Sequence, residues 1–117
     1  MRRIKLTMGF FALVDAEDFE RINAHKWYAS IESRGTKIYA KRGRKKSDDP
    51  ARWKAAKIRM SHAVLDKSPS ELAEGHIIDH DDHDGLNNCK HNLFERTQVE
   101  NMKRSEGWKK KIAEPCL

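Results

Sequence analysis

The sequence holds little with which to staple itself. Only two cysteines occur in 117 residues, Cys89 and Cys116, and they form no Cys-x-x-Cys pair. A structural zinc of the paired-cysteine kind is therefore not expected, and free thiols fit a reducing cytoplasm. Long apolar runs are missing too. The opening MRRIKLTMGFFALVDAEDF is basic and then apolar, but charge interrupts it by Asp15. That stretch is too short to span a membrane and makes a poor signal peptide, so the expectation is a soluble, cytoplasmic protein with no membrane partner. There are no internal repeats. A chain of this length has room for one domain, or a small domain with a helper, and for only a modest core.

What is present is charge. Charged residues make up 36% of the chain against 38% apolar, yet three Trp, four Phe and two Tyr remain to build a core. This is the composition of a folded chain with a large solvated surface. The formal net charge is +6 and the pI near 9.4, which points to an anionic partner. The charge is unevenly placed. Residues 1–75 carry 17 Lys and Arg against 10 Asp and Glu, whereas 76–117 carry 7 against 8. The first part suits a phosphate backbone and the second, with acidic ligands, suits a cation.

Taken in order, Phe10 to Val14 reads as a strand, and Asp15 is placed to cap a helix over Ala16 to Ala24. Phe19 and Ile22 share a face of that helix. Trp27 to Glu32 and Lys37 to Arg42 both alternate, and Ser33-Arg34-Gly35-Thr36 between them supplies a hairpin turn. Lys54 to Met60 is a further strand candidate, and Ser61 a cap for a short helix through Leu65. Ser68, Pro69 and Glu71 mark another helix start, with Gly75 as its stop.

The stretch His76 to Asn101 reads as strand, loop, strand, helix, with Thr97 and Glu100 fitting a capping box. Such a unit buries few side chains, so something else must help hold it. Asp79 and His80 close its first strand, Asn92 opens the second, and Asn101 lies one turn into the helix. In a regular strand Asp79 and His80 face opposite sides, and they reach one site only if the chain leaves strand geometry there.

These residues resemble the HNH endonuclease family, the ββα-metal nucleases, and in particular the phage and intron homing branch. Asp79-His80, then Asn92-Leu93 twelve positions after His80, then Asn101 nine further on, match the family spacing without a gap, in its H-N-N form. Leu86, Asn88 and Thr97 also fall where the family places such residues. The front half is distantly similar to the module that precedes HNH motifs in phage enzymes and to the DNA-binding module of plant ethylene-response factors. That likeness rests on FALVDAEDF, KWYA, a basic hairpin, and a strand ending in Met60-x-His62. Three positions depart from the pattern: His83 stands where the family has Gly, and Cys89 and Ala63 where it has Arg.

The resemblance implies an α+β protein. A basic sheet-and-helix module over 1–67 leads into an HNH unit over 68–104, followed by a basic tail, 105–117. It implies a DNA endonuclease that nicks double-stranded DNA, as a monomer or weak dimer, encoded by a phage. His80 is the expected general base, since an imidazole with an ordinary pKa of about 6.5 is mostly neutral at physiological pH. Asn92, through its side chain or its backbone, orients that ring. Asp79 and Asn101 are the expected ligands of one Mg²⁺ or Mn²⁺, oxygen donors that leave positions for water and substrate.

Lys41, Arg42, Arg44, Lys45, Lys46, Lys57, Arg59, Lys103 and Arg104 are the expected DNA contacts, with Lys109 to Lys111 adding phosphate contacts. Trp27, Tyr28 and Trp53 read as packing aromatics. His62 and His83 are candidates for a supporting role, His62 equally for packing, while His83 and His91 read as exposed loop residues in preference to ligands. A rival from another class is a DNA-binding protein that keeps the fold without useful catalysis, motivated by the three departures. A third is structural zinc held by His76, His80, His83 and His91.

Overall fold

A computed structural model describes residues 1–99 of the chain. Asn101, Lys103, Arg104, the Glu100 half of the capping box and the tail 105–117 lie outside the described residues. The fold is α+β, with three small antiparallel sheets and two short helices among those residues. Strands β1 (Arg2–Lys5) and β2 (Phe11–Val14) pair as one hairpin, and α1 (Ala16–Asn23) follows. Strands β3 (Tyr28–Glu32), β4 (Lys37–Gly43) and β5 (Lys57–Arg59) form the second sheet, in that order. Helix α2 (Met60–Leu65) leads to the third sheet, the hairpin β6 (His76–His80) and β7 (Leu93–Thr97).

Strand β1 escapes a reading by alternation because only Ile4 of its four residues is buried. Strand β5 is shorter than Lys54 to Met60. The Arg44 guanidinium takes the carbonyls of Trp53 (2.9 Å) and Lys54 (3.1 Å), which holds that segment as a loop, and Met60 already begins α2. Two expected caps are not made. Arg59, not Ser61, occupies the cap position of α2, and Ser61 is buried within the helix. The Asp15 side chain bonds none of the free N–H groups of α1, only its backbone carbonyl taking the Asp18 N–H at 3.0 Å; its carboxylate instead accepts the Lys90 N–H at 2.9 Å. Around Pro69–Glu71 the chain makes a single 3-10 turn.

Alternation decides what the second sheet offers to each side. Ala29 pairs with Ala40, Ile31 with Ile38 and Arg42 with Ile58. Ala29, Ala40 and Ile58 are buried in a core with Ile4, Val14, Ile22 and Trp27. Each fully buried Ile or Val there contributes about 1.5–3 kcal/mol. The Trp27 indole N–H donates to the Ile22 carbonyl at 2.8 Å, tying the end of α1 to the sheet. The opposite face carries Tyr28, Lys37, Tyr39, Lys41, Lys57 and Arg59.

Among the described residues the third sheet has no core of its own. Leu93 joins the shared cluster, and the loop between β6 and β7 is stitched to β2. Leu13 N–H donates to Leu86 (2.7 Å) and its carbonyl accepts the Asn88 N–H (2.8 Å). These bonds are the help that so small a unit needs. Among the described residues no helix is long and apolar enough to cross a membrane.

Gly85 sits where this loop meets β4. A Cβ there would lie 2.3 Å from the Ile38 carbonyl oxygen and 2.7 Å from the Tyr39 ring. Gly85→Ala is expected to destabilise the fold by about 1–3 kcal/mol, as overpacking against backbone does. Urea unfolding followed by tryptophan fluorescence measures this; an unchanged midpoint would show that the loop does not bear on β4.

Candidate functional site

Between the outer face of the second sheet and strand β6 lies a cleft of about 890 Å³. Lys37, Lys41, Lys57 and Arg59 line one wall, and His62, His80 and His83 line the cleft with them. The Tyr39 and His80 rings are 5.9 Å apart across it. Arg59 lies over the Tyr39 ring at 4.2 Å and Lys57 over Tyr28 at 5.5 Å, so the cations rest on aromatic faces. Glu32 moderates this wall through Lys41 (2.6 Å) and Arg59 (2.9 Å). Burial pushes its carboxyl up, but those two cations outweigh it and keep the group ionised.

His80 is only 7% exposed. Its Nε2–H donates to Asn88 Oδ1 at 2.9 Å, which leaves Nδ1 as the basic nitrogen of the neutral ring. Asn88 is 1% exposed, and its Nδ2 has no hydrogen-bond partner among the described residues. Burial lowers the His80 pKa below its ordinary value, against the opposing pull of the Asn88 bond and of Asp82, Asp79 and Asp84. His62 donates through Nδ1 to the Lys67 carbonyl at 2.9 Å, so its Nε2 carries the lone pair. Burial lowers its pKa as well, helped by Arg59 and His80 and opposed by the Lys67 bond.

The side chain of Asn92 does not hold His80. Its Oδ1 accepts the Asp82 N–H (3.0 Å), and its Nδ2 donates to Asp82 Oδ1 and to the Asn87 carbonyl (both 2.9 Å). The carboxamide next to the ring belongs to Asn88. Sequence order favoured Asn92, but a buried Asn with three bonds to loop atoms is spent on the loop. Asn88 carried a signal of its own, since it too falls at a family position.

Asp79 is 6% exposed, at the penultimate position of β6. Strand pairing runs to His80↔Leu93, so the chain does not leave strand geometry before Asp81, and the side chains of Asp79 and His80 leave the strand on opposite faces, although both residues border the cleft. Asp79 Oδ2 accepts a short hydrogen bond from Arg96 Nη1, while Arg96 Nη2 donates to Asp81 at 3.1 Å. The hairpin register could have revealed this pairing, because Phe94 opposite Asp79 puts Arg96 on the Asp79 face. The donor chemistry suits a hard divalent cation: two carboxylates already converge on one positive charge. An ion bound there has to displace or share with Arg96. Asn101, the other expected ligand, lies outside the described residues.

The basic residues divide. Lys41, Lys57 and Arg59 line the cleft, and Lys45 and Lys46 are exposed in the loop after β4. Arg42 is not available to a partner. It is 6% exposed, donates to both Asp48 oxygens (2.7 and 2.9 Å) and lies over the Trp27 ring. Alternation sends it to the core face while its neighbour Lys41 goes to the cleft. The guanidinium of Arg44 is engaged by the Trp53 and Lys54 carbonyls. Lys37 and Tyr39, not anticipated, stand on the cleft face by the same alternation. Lys103 and Arg104 lie outside the described residues.

His83 lines the cleft with a φ of 63°, in the left-handed region. A glycine is at ease there and a histidine is strained, a physical reason for the Gly that the resemblance expected. Among the described residues, the His, Cys, Asp and Glu side chains close enough to share an ion are Asp15, Cys89 and His91, and Asp15, Glu17 and Asp18. The four-histidine group is not among them. Compared with family models, curated proteins and solved structures, the chain matches none.

His25, His62 and His80 all have depressed pKa values, each with burial as the largest cause. The unfolded chain therefore takes up protons near pH 6.5 that the folded chain does not, so stability is full above that pH and falls as pH drops toward the folded pKa values. The urea midpoint should fall between about pH 7.5 and about pH 5.5. His62→Gln should flatten that slope, and a midpoint independent of pH over this range would refute the burial argument.

Proposed function

We propose that the chain is a divalent-metal-dependent DNA endonuclease of the HNH type that nicks double-stranded DNA. The observation that carries this reading is the cleft in which His80 faces a basic, tyrosine-bearing sheet wall across about 890 Å³. Lys37, Lys41, Lys57 and Arg59 would hold a phosphate backbone along that wall, and Lys45 and Lys46 would extend the track past the end of β4. His80, kept neutral by burial and held through Nε2 by Asn88, accepts the proton of the attacking water at Nδ1. Asp79, with Asn101 as second ligand in this reading, would hold Mg²⁺ or Mn²⁺. Bound there, the ion supplies charge relief to the phosphate and to the departing oxygen. Arg96 would then be freed from Asp79 to meet the anionic substrate.

One observation favours a second reading, a DNA-binding protein with little or no catalysis. Arg96 already neutralises Asp79, and the two side chains expected at one centre, those of Asp79 and His80, start from opposite faces of the hairpin. Both readings need the basic wall. Only the first needs His80.

Supercoiled plasmid incubated with Mg²⁺ or Mn²⁺ separates them. Nicking by the wild type is expected to fall by about 10²–10⁴ in His80→Ala, with gel retention of DNA preserved. Equal cutting by the variant removes His80 from the chemistry, and no cutting by the wild type with either ion leaves the second reading. Lys57→Ala should weaken retention and reduce its salt slope by about 1. Arg42→Ala should instead lower the melting temperature, because it leaves Asp48 without its partner.

A further inference from the structure

A second cluster of ligand-bearing side chains lies at the junction of β2, α1 and the loop before β7. Asp15, Cys89 and His91 bring one carboxylate oxygen, one thiol sulfur and one imidazole nitrogen within 4.8 Å of each other. Asp15 is remote in sequence from Cys89 and His91, and the backbone sets it beside them. Leu13 bonds Leu86 and Asn88, and the Asp15 carboxylate continues the zipper by accepting the Lys90 N–H at 2.9 Å. The Asp15 side chain makes no cap bond to α1, although it sits at the cap position. Cys89 is 1% exposed, and His91 is exposed at the mouth.

We propose that Asp15, Cys89 and His91 form a metal site that takes Zn²⁺, separate from the cleft and independent of the nuclease reading. Thiolate, imidazole and carboxylate together suit a borderline-soft cation, not Mg²⁺ or Mn²⁺. With metal bonds of about 2.0–2.3 Å the three ligand atoms must draw closer together, and the exposed His91 side chain is free to turn inward. A solvent water completes four-coordination, and the Cys89 proton is released on binding. The neighbouring acidic trio of Asp15, Glu17 and Asp18 does not compete for the ion. Lys90 Nζ already serves it, at 3.1 Å from Glu17 and 3.3 Å from Asp18.

The site would act on the fold around it. Cys89 follows Asn88, whose Oδ1 holds the His80 ring, and His91 precedes Asn92, whose carboxamide closes the loop. A metal bound to 89 and 91 and to Asp15 ties that loop to α1 from behind.

The test uses the full chain, freed of metal with a chelator, in a Cys116→Ser background so that one thiol remains. Addition of Co²⁺ should give a thiolate-to-cobalt charge-transfer band that saturates at one ion per chain. The band should vanish in Cys89→Ser and persist in His80→Ala. Because Cys89 is buried and its change risks the fold, His91→Ala and Asp15→Asn provide the second measurement. Each should weaken Co²⁺ and Zn²⁺ binding at least about tenfold, and Zn²⁺ should raise the melting temperature of the parent but not of His91→Ala. No thiolate band, a band that survives Cys89→Ser, or unchanged Zn²⁺ stabilisation of His91→Ala would each overturn the proposal.

Discussion

The Asn92 carboxamide closes the loop between β6 and β7, and most of the site's geometry follows from that closure. Its oxygen takes the Asp82 N–H and its nitrogen bridges Asp82 and the Asn87 carbonyl, all within 3.0 Å. Around it Asp82 also accepts from Asp84 N–H and Asn87 Nδ2, and Asp84 accepts from Leu86 N–H. A loop folded on its own side chains in this way has one shape. That shape puts Asn88 against His80 and lays residues 86–88 along Leu13. It also turns Cys89 and His91 toward Asp15. Removing a buried amide with three partners leaves each of them to find water, at about 1–3 kcal/mol per orphaned group.

The loop and the core solve one problem together. A two-stranded hairpin is marginal alone, and β6–β7 buries little between its strands. It gains stability by lending Leu93 to the cluster built on Ile4, Val14, Ile22 and Trp27, and by the zipper to β2. Arg21 works at the other seam. From α1 it donates to the Ala63 and Val64 carbonyls at the end of α2, at 2.7 and 3.1 Å. With so small a core, polar bonds between segments distant in sequence carry much of the cohesion.

The distribution of charge follows the same economy. Some of the net positive charge is structural: Arg42 is buried on Asp48 under Trp27, and Arg52 joins Asp66 and Glu71. One group of the remaining cations, Lys37, Lys41, Lys57 and Arg59, shares a sheet face, with Glu32 holding Lys41 and Arg59 in place and not cancelling the wall. The Asp79–Arg96–Asp81 group sits on the other face of the hairpin from His80. Asp79 and His80 nonetheless border the same cleft, and Arg96 holds the carboxylate there.

Alternation and turn chemistry made the elements legible in the sequence. The hairpin β3–β4, helix α1 and the strands at His76 and Leu93 all follow from period and punctuation, because those signals are local. The α+β class follows from their sum. Local pattern does not say which of two neighbouring cations turns inward, so Lys41 and Arg42 look alike in sequence and the β4–β5 register separates them. Nor does it say which Asn in a loop holds a ring and which holds the loop, since Asn88 and Asn92 have the same chemistry and differ only in what lies beside them. Asp15 is a helix cap by sequence and a partner of Lys90 by fold. Each of these assignments belongs to contacts between segments far apart in the chain, and only packing decides them.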